Sequence, residues 1–534
     1  LMIRRPPRST LDRSSAASDV YKRQVSTLLT LIPSIAYIPI LIEIIKGFHI
    51  GGLNIIFLFI SSAIKPSFNQ EVVKSAWEGL QITIATALTS WVISMLIGIL
   101  LGVLSTDLFW KSIPKFSYLG KFIKYSLAIP RSIHEVVWGL LFIQILGLNI
   151  WVAIISIVIP YSALTARVIS EQLDSFDIQP LIAIKQTGSN IMSSFITILL
   201  PKLIPIVSTY GSYRFECAIR GVTLLGIFGL GGIGTELYLT LKSFEFNEMW
   251  TCLWMLWLVM ILLEKFIRFL RSYLSENISL KNSFLISISI FTLSLSLGIG
   301  WLYNLNFELF TPLSFSYLNL PSFVEIRNGF NTLPLFKLII TTILITLFAS
   351  GIAIGTPPLL LVLFPGKFPL KVQNLIWIFF RLIPPPLTTI LILLFTNPNI
   401  SVAALSLGIT HMGVMGRLLT DNILNQEKSI YRAIKSNGSS KKSATLYGIL
   451  APQSNSYLAY GAYRSDVILK ETAIIGAVGG VGLGWQLQES LSSFDWAQVM
   501  IITATFSLLT ISGEFLFNTS QNYWLNNSTN NFIG

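Results

Sequence analysis

Long apolar stretches alternate with short polar ones along almost the whole chain. Stretches such as 88–104, 284–302 and 338–363 contain no charged residue. A helix needs roughly 20 mostly apolar residues to cross the hydrocarbon core of a bilayer. The pattern therefore predicts an all-α integral membrane protein with about twelve transmembrane helices. The predicted crossings lie near 26–46, 80–104, 122–147, 150–167, 196–222, 250–264, 283–303, 336–362, 374–396, 399–416, 444–470 and 498–517.

The composition supports this class and argues against a soluble enzyme. Of the 534 residues, 53% are hydrophobic and 12% are charged, and the mean hydropathy is +0.69. A soluble domain carries about a quarter charged residues, so this chain has too little polar surface to cover a globule of its size. Cys217 and Cys252 show no metal-ligand spacing, and the three histidines are scattered. We therefore expect no catalytic site, no metal and no cofactor.

The first 24 residues differ in character from the rest of the chain. They are rich in Ser and Arg, contain six basic and two acidic residues, and give way abruptly to apolar sequence at Val25. Transit peptides have a comparable composition, but this string resembles translated adapter sequence. We expect 1–24 to be a non-native segment and exclude it from the fold. Without it the net charge falls from +12 to +8.

The chain matches itself at an offset of 250 residues. The segment Tyr210–Arg214 recurs as Tyr460–Arg464, and many glycines and charged residues follow the same offset. Nearer the start of each half the offset drifts to 253, which pairs Gly98 and Gly102 with Gly351 and Gly355. Self-similarity of this kind indicates a tandem repeat. The predicted organisation is a first permease-like repeat at 25–275, a second at 276–517 and a polar C-terminal tail at 518–534.

The basic residues predict the orientation of the helices. Loops at 105–124, 167–202, 264–281, 363–371 and 417–442 carry nineteen Lys and Arg, whereas the intervening loops carry four. Lys and Arg favour the cytoplasmic side of a membrane. The first set of loops is therefore predicted to be cytoplasmic. With an even number of crossings in each half, the two repeats are parallel and related by an axis along the membrane normal.

Two of the predicted cytoplasmic loops share a short motif. The first runs from Ile182 through Gly188 to Pro201, and its spacing resembles the EAA loop of ABC importer permeases. The second copy starts at Arg432, and neither copy has the acidic residue of that consensus. An ordinary basic loop is the alternative, but two copies at matched positions favour a coupling loop in which Gly permits a turn between short helices. The candidate coupling residues are Ala183, Gly188, Pro201, Ala433, Gly438 and Pro452.

A glycine-rich segment follows the Tyr-Arg motif in each half. In the first half it runs from Tyr213 to Gly234 and resembles the signature of phosphonate ABC transporter permeases. The same region contains a GxGxxG spacing, but a dinucleotide fold would need a preceding strand, so we reject that interpretation. The glycines are expected to allow a bent backbone and close helix contact. They are Gly226, Gly229, Gly232 and Gly234, with Gly476, Gly479, Gly482 and Gly484 in the second half.

Charged residues in or beside membrane helices form the candidate substrate pathway. The pairs Glu216 with Arg220 and Asp466 with Lys470 are spaced i,i+4, so each pair can neutralise itself. A structural pair at a helix end and a pathway role are both open, because buried charges in membranes are costly and usually functional. Further basic residues would make a central vestibule positive and suited to an anion. They are Arg131, Arg214, Arg381 and Arg464.

The family resemblance implies a permease subunit of an ABC importer. It implies two copies of the type I importer permease fold in a bacterial plasma membrane, a cytoplasmic ABC ATPase dimer docking at the Gly188 and Gly438 loops, and a periplasmic substrate-binding protein outside. The lipid bilayer is a further partner, and nucleic acid is not expected. The expected cargo is a phosphonate or a related phosphorus oxyanion. The alternatives are a fused ferric-ion ABC permease and a secondary transporter with parallel repeats.

Overall fold

The computed structural model describes residues 25–106, 109–110, 117–176, 179–189, 191–275, 280–305, 321–425 and 429–529. The predicted non-native segment 1–24 lies outside these ranges. Within them the backbone is helical apart from short connections, and β-type pairing occurs at one isolated bridge between Phe48 and Thr396.

The helices of the described residues fall into two series. The first series comprises α1 Val25–Lys46, α2 Leu53–Ser62, α3 Gln70–Ser105, α4 Ser117–Ser126, α5 Ala128–Ser132, α6 Glu135–Leu146, α7 Ile150–Asp174, α8 Gln179–Gln186, α9 Ile191–Leu225, α10 Ile233–Lys242 and α11 Phe246–Ser275. The second comprises α12 Leu280–Asn304, α13 Phe323–Thr332, α14 Leu335–Leu363, α15 Lys367–Leu382, α16 Pro385–Leu393, α17 Ile400–Asn425, α18 Ser429–Ser436, α19 Lys441–Thr445, α20 Ala451–Gly479, α21 Gly482–Ser492 and α22 Trp496–Thr529.

The all-α, multi-span architecture predicted from the sequence is confirmed. Among the described residues, eight helices are long and apolar enough to cross a membrane, and three bent helix pairs raise the number to eleven. These eleven correspond to eleven of the twelve predicted crossings. The remaining one, at 444–470, falls on α20, which is less apolar than the other crossings and carries Arg464, Asp466, Lys470 and Glu471.

The chain divides into two compact units. Unit 1 comprises Leu1–Gly52, Pro334–Gln486 and Leu508–Gly534, and unit 2 comprises Leu53–Leu333 and Leu487–Ser507. These divisions follow packing, whereas the repeats at 25–275 and 276–517 follow sequence similarity. Helix α1 thus belongs to unit 1 although it precedes the first repeat's other helices, and α12 belongs to unit 2. The repeat boundaries stay a prediction.

Unit 2 is built around the pair α3 and α7. Gly98 and Gly102 of α3 allow close approach, since a Cβ at either position would lie within 3 Å of Thr165 or Ile169 on α7. Helix α12 also packs on α3, where the Trp91 and Phe291 rings stack with centroids 5.1 Å apart.

Unit 1 is built in the same way around α14 and α17. Gly408 of α17 meets Ile352 of α14, where an added Cβ would lie 2.7 Å from the isoleucine side chain. Helix α1 packs on α14 through Gly351 and Gly355. A Cβ on Gly355 would lie 2.3 Å from the backbone nitrogen of Ser34, so only glycine fits this contact.

Equivalent hydrogen bonds show which residues of α3 and α14 correspond to each other in the repeat. In unit 2 the backbone N–H of Ile233 donates to Thr83 Oγ1 at 2.9 Å. In unit 1 the backbone N–H of Leu483 donates to Thr342 Oγ1 at 3.1 Å. Ile233 and Leu483 are 250 apart, whereas Thr83 and Thr342 are 259 apart. The two helices therefore correspond at an offset of 259.

A second contact gives the same register and corrects the sequence alignment. Gly211 lies against Met95, and its counterpart Gly461 lies against Ile354, again 259 residues further on. The predicted match of Gly98 and Gly102 with Gly351 and Gly355 is therefore wrong. The two pairs share their glycine spacing but not their contacts. Gly98 and Gly102 face α7, whereas Gly351 and Gly355 face α1.

The repeat extends to a rare backbone conformation. Phe244 and Phe494, which are 250 residues apart, have φ values of +61° and +56°. A bulky residue at positive φ is uncommon and costs conformational energy. Each lies in the turn after a short helix, α10 or α21, and precedes a long one. The turns are therefore equivalent in geometry as well as in sequence.

Candidate functional site

Arg214 lies within α9 in an enclosure of tyrosine rings. Its Nε donates a hydrogen bond to the hydroxyl of Tyr210 at 2.6 Å. The guanidinium carbon lies 5.1 Å, 5.0 Å and 5.8 Å from the ring centroids of Tyr161, Tyr210 and Tyr213. These are cation–π distances, which stabilise a cation removed from water. Arg214 is therefore held as a charged group although it is only 7% exposed.

The Tyr161 ring is in turn held by an acid from another helix. The Tyr161 hydroxyl donates to Glu135 Oε1 at 3.1 Å, and both residues are buried. Glu135 is the first residue of α6, just after the 80° bend that separates this helix from α4 and α5. His134 caps α6 by accepting from the backbone N–H of Val136. The bend thus brings a carboxylate into the helix bundle beside α7.

Unit 1 has a buried arginine at the matching position of α20. Arg464 is 6% exposed, and the rings of Tyr460 and Tyr463 lie with centroids 5.8 Å apart, as those of Tyr210 and Tyr213 do at 6.4 Å. The Tyr-x-x-Tyr-Arg motif therefore has the same local arrangement of its two rings in both units.

The two predicted ion pairs are present. Arg220 bonds to Glu216 on α9, and Lys470 Nζ lies 2.8 Å from Asp466 Oδ2 on α20. The pair on α20 is the more enclosed, with side chains 11% and 10% exposed. Each pair neutralises itself along one helix, which is what the i,i+4 spacing favours. A pathway role for these four residues stays a prediction.

Arg131 and Arg381 lie just before two helix breaks. Arg131 lies in the last turn of α5 ahead of the 80° bend, and Arg381 lies in α15 ahead of an 89° bend at Pro384. Both are partly buried. Their role in a pathway stays a prediction.

The glycine-rich segments bend the backbone. In unit 2, Gly229, Gly231 and Gly232 have positive φ, and the helix axis turns by 53° between α9 and α10. In unit 1, Gly480 and Gly482 have positive φ at the start of α21. L-residues with side chains rarely adopt this conformation, so glycine is needed at the break.

Other glycines of these segments allow backbones to touch. A Cβ on Gly234 would lie 2.0 Å from the carbonyl oxygen of Thr223 and 3.1 Å from Gly226 Cα. The counterpart Gly484 is equally close to Ala473, at 2.2 Å, and Gly476 faces Gly484. Gly479, by contrast, has ordinary space around it. The signature therefore combines two needs, a bend and a close contact.

The two candidate coupling loops have the same backbone geometry. Gly188 follows the short helix α8 with φ +83°, and Gly438 follows α18 with φ +81°. Neither glycine has another group within 4 Å of a Cβ position, so the requirement is conformational rather than steric. Ala183 and Ala433 are exposed on their short helices. Pro201 lies within α9, and Pro452 lies in the first turn of α20.

Sequence reasoning overlooked two residues at the centre of these arrangements. Tyr161 supplies one wall around Arg214, and His411, at the same position of unit 1, is 1% exposed and lies 3.0 Å from Glu471 Oε2 through its Nε2. The offset of 250 pairs these two positions and could have drawn attention to them. Across the described residues no group of three or more His, Cys, Asp or Glu could hold a metal ion.

Comparison with known proteins identifies the family. The chain is 32% identical over 87 residues to the putative cryptic phosphonate transport system permease protein PhnE2 of Escherichia coli (strain K12), and the match covers 70% of that protein. The chain belongs to the phosphonate transport permease family. It is also 24% identical to the phosphite transport system permease protein PtxC of Stutzerimonas stutzeri, over 52% of that protein.

A third member of this permease family extends the range of relatives. The phosphate-import permease protein PhnE of Mycolicibacterium smegmatis is 23% identical over 148 residues, which is 28% of its length and 28% of this chain. No protein-family model matches the chain, and no solved structure gives a significant match. The chain is therefore a multi-pass membrane protein of a transport permease family.

Proposed function

We propose that the chain is the permease subunit of an ABC importer that carries a phosphonate, or a related phosphorus oxyanion, across a bacterial plasma membrane. The observation that carries the proposal is the match to the Escherichia coli phosphonate transport system permease over 70% of its length. The curated relatives are named for phosphonate, phosphite and phosphate transport, and all three cargoes are tetrahedral oxyanions.

The energy for transport comes from partner subunits in this proposal. An ATPase dimer docks on α8 with Gly188 and on α18 with Gly438, and its ATP hydrolysis drives the transport cycle. The support is the repeated geometry, because each loop places an exposed short helix before a glycine of positive φ. A substrate-binding protein docks on the opposite side of the membrane, where the loops carry few basic residues.

The anion passes Arg214 and Arg464 in this proposal. Arginine suits an oxyanion because its planar guanidinium can donate two parallel hydrogen bonds and stays charged. The support is that both arginines are buried on matching helices. The competing account is that they brace their helices through the neighbouring tyrosines, as the bond from Arg214 to Tyr210 would do.

Uptake by reconstituted vesicles tests the proposal. The purified chain is inserted in vesicles with its ATPase and binding protein, and uptake of methylphosphonate, phosphite and phosphate is measured with ATP inside or outside. We expect uptake of at least one of the three that requires ATP on the ATPase side. Uptake that continues without the ATPase would instead support a secondary transporter, and uptake of ferric ion alone would overturn the assigned cargo.

A further inference from the structure

The offset that aligns the two halves also aligns three positions around a buried carboxylate. In unit 2 these positions hold Glu135, Tyr161 and Gly221, and in unit 1 they hold Pro385, His411 and Glu471. Each trio contains one acid, but the acid stands at the first position in unit 2 and at the third in unit 1. The middle position lies on the central helix of each unit, α7 or α17.

In unit 2 the acid comes from α6. Glu135 accepts the hydrogen bond of the Tyr161 hydroxyl at 3.1 Å, and it is 8% exposed. Gly221 of α9 forms the floor of this contact. A Cβ there would lie 3.2 Å from Glu135 Oε1 and 3.4 Å from the Tyr161 hydroxyl. The missing side chain at 221 thus leaves the space that the acid occupies.

In unit 1 the acid comes from α20, the counterpart of α9. Glu471 Oε2 lies 3.0 Å from Nε2 of His411, which is the residue equivalent to Tyr161. The position equivalent to Glu135 is Pro385, the first residue of α16, which has no carboxylate. Unit 1 therefore lacks an acid at the position equivalent to Glu135. It has one instead at the position equivalent to Gly221, which lies beside the Glu135–Tyr161 contact in unit 2.

We propose that both units contain one enclosed acid site of common design. Its carboxylate is supplied by α6 in unit 2, where Glu135 is buried, and by α20 in unit 1, where the Glu471 side chain is 16% exposed. In both, the acid bonds the polar side chain at the same position of the central helix. An unpaired carboxylate is costly in an apolar interior, so this partner stabilises the acid in both halves. In unit 2 Glu135 Oε2 also lies 3.3 Å from His134 Nδ1. A polar group at 161 or 411 without an acceptor is costly for the same reason.

Glu135 acts as a positioning residue in this account. Its hydrogen bond fixes the Tyr161 ring, and that ring lies 5.1 Å from the guanidinium carbon of Arg214. The acid thus orients one wall of the arginine enclosure. If so, the effects of Glu135 and Tyr161 variants are coupled, because each removes the same hydrogen bond.

Moving the acid from one helix to the other tests the proposal. The melting temperature of the purified full chain in detergent is measured for Glu135→Ala, for Glu135→Ala with Gly221→Glu, and for Glu135→Ala with Gly221→Ala. We expect the first variant to melt several degrees lower and the relocated acid to recover most of the loss. The Ala control measures the gain in helix propensity from replacing glycine, which Glu also gives in large part.

The outcome is decided by the difference between the Glu and Ala replacements at 221. Recovery by Glu beyond that by Ala supports the relocated acid site, and equal recovery overturns it. Gly221→Glu alone should melt lower than both double variants, since the carboxylates of Glu135 and the new glutamate would repel each other in one buried site. If Glu135→Ala does not fold, the series is repeated with Glu135→Gln, where the same difference decides.

The mirror exchange and a coupling test complete the experiment. In unit 1, Glu471→Gly should lower the melting temperature. Adding Pro385→Glu to that variant should recover more of the lost melting temperature than adding Pro385→Gln does. Tyr161→Phe combined with Glu135→Gln should melt no lower than the worse single variant, and strict additivity would contradict a shared bond. Melting is independent of cargo, so failure here and failure of phosphonate uptake are distinguishable.

Discussion

Arg214 shows how a charged residue is accommodated inside a helix bundle. Three tyrosine rings lie within 6 Å of its guanidinium carbon, and Tyr210 accepts its Nε hydrogen bond. Such an enclosure offsets part of the cost of removing the charge from water. The motif could be found from the sequence because it is repeated, but the third ring, Tyr161, comes from another helix. Local sequence carries no signal for that contact.

Substitution at Arg214 separates the transport and bracing accounts. Arg214→Lys keeps the charge but loses the planar fork, so phosphonate uptake should fall about tenfold, the worth of one charge-assisted hydrogen bond of about 1.5 kcal/mol. Arg214→Gln should reduce it further, and the same order is expected at Arg464. Uptake is measured in the reconstituted vesicles, and the amount of each variant incorporated in the vesicles provides the control. Unchanged uptake in the double Gln variant would mean that both arginines are structural.

Glycines in the signature segments differ in what they tolerate. A Cβ on Gly234 would lie 2.0 Å from a carbonyl oxygen, whereas a Cβ on Gly300 of α12 meets nothing within 4 Å. Gly234→Ala should therefore destabilise the chain by about 3 kcal/mol, at the upper end for overpacking. Gly300→Ala is the matched control and should be neutral or slightly stabilising. Thermal unfolding compares them, and equal melting temperatures would contradict the close backbone contact.

At the scale of elements, the predicted helices agree with the structure where apolar length decides. The single crossing that a hydropathy test misses is α20, which carries Arg464, Asp466 and Lys470. It was predicted with the other crossings, and its equivalence to α9 through the Tyr-x-x-Tyr-Arg motif agrees with that assignment. The register between α3 and α14 was predicted wrongly. Glycine spacing alone does not tell which neighbouring helix each glycine faces, whereas the contacts of Thr83 and Thr342 do.

The two helix–glycine turns are predicted to transmit force from the ATPase. Gly188→Val and Gly438→Val should weaken ATPase binding to the purified chain, because β-branched residues strongly disfavour φ near +80°. Asn tolerates that conformation, so Gly188→Asn and Gly438→Asn are matched controls that should bind more tightly than the Val variants. Co-purification measures binding. Equal binding by Val and Asn variants would show that the turn conformation does not matter for docking.

At the scale of the whole molecule, the basic residues predict which ends of the helices face the cytoplasm. Single cysteines at Ser436 and Ser493, in a chain with Cys217→Ser and Cys252→Ser, probe one loop of each predicted set. A membrane-impermeant maleimide should label the Ser436 position from the cytoplasmic side and the Ser493 position from the opposite side. Labelling of both positions from the same side would contradict the assigned orientation.

The two units also show what a duplicated sequence can hide. Sequence similarity predicts a division near residue 275, whereas packing assigns α1 to unit 1 and α12 to unit 2. Comparing the sequence with itself shows which segments resemble each other, but it does not show which helices pack together. The two enclosed acids illustrate the same point at smaller scale, since Glu135 and Glu471 do not match each other at the offset of 250. Their contacts with Tyr161 and His411, which do match, relate them.

The central claim is that this permease carries a phosphorus oxyanion in a transport cycle driven by ATP hydrolysis. The most direct measurement is uptake of radiolabelled methylphosphonate by vesicles that contain the chain, its ATPase and its binding protein. The matched control replaces the ATPase with a variant that binds but does not hydrolyse ATP. The account predicts accumulation against a gradient with the active ATPase and none with the control. Equal accumulation in both, or none of any phosphorus oxyanion with a fully assembled and active complex, would contradict it.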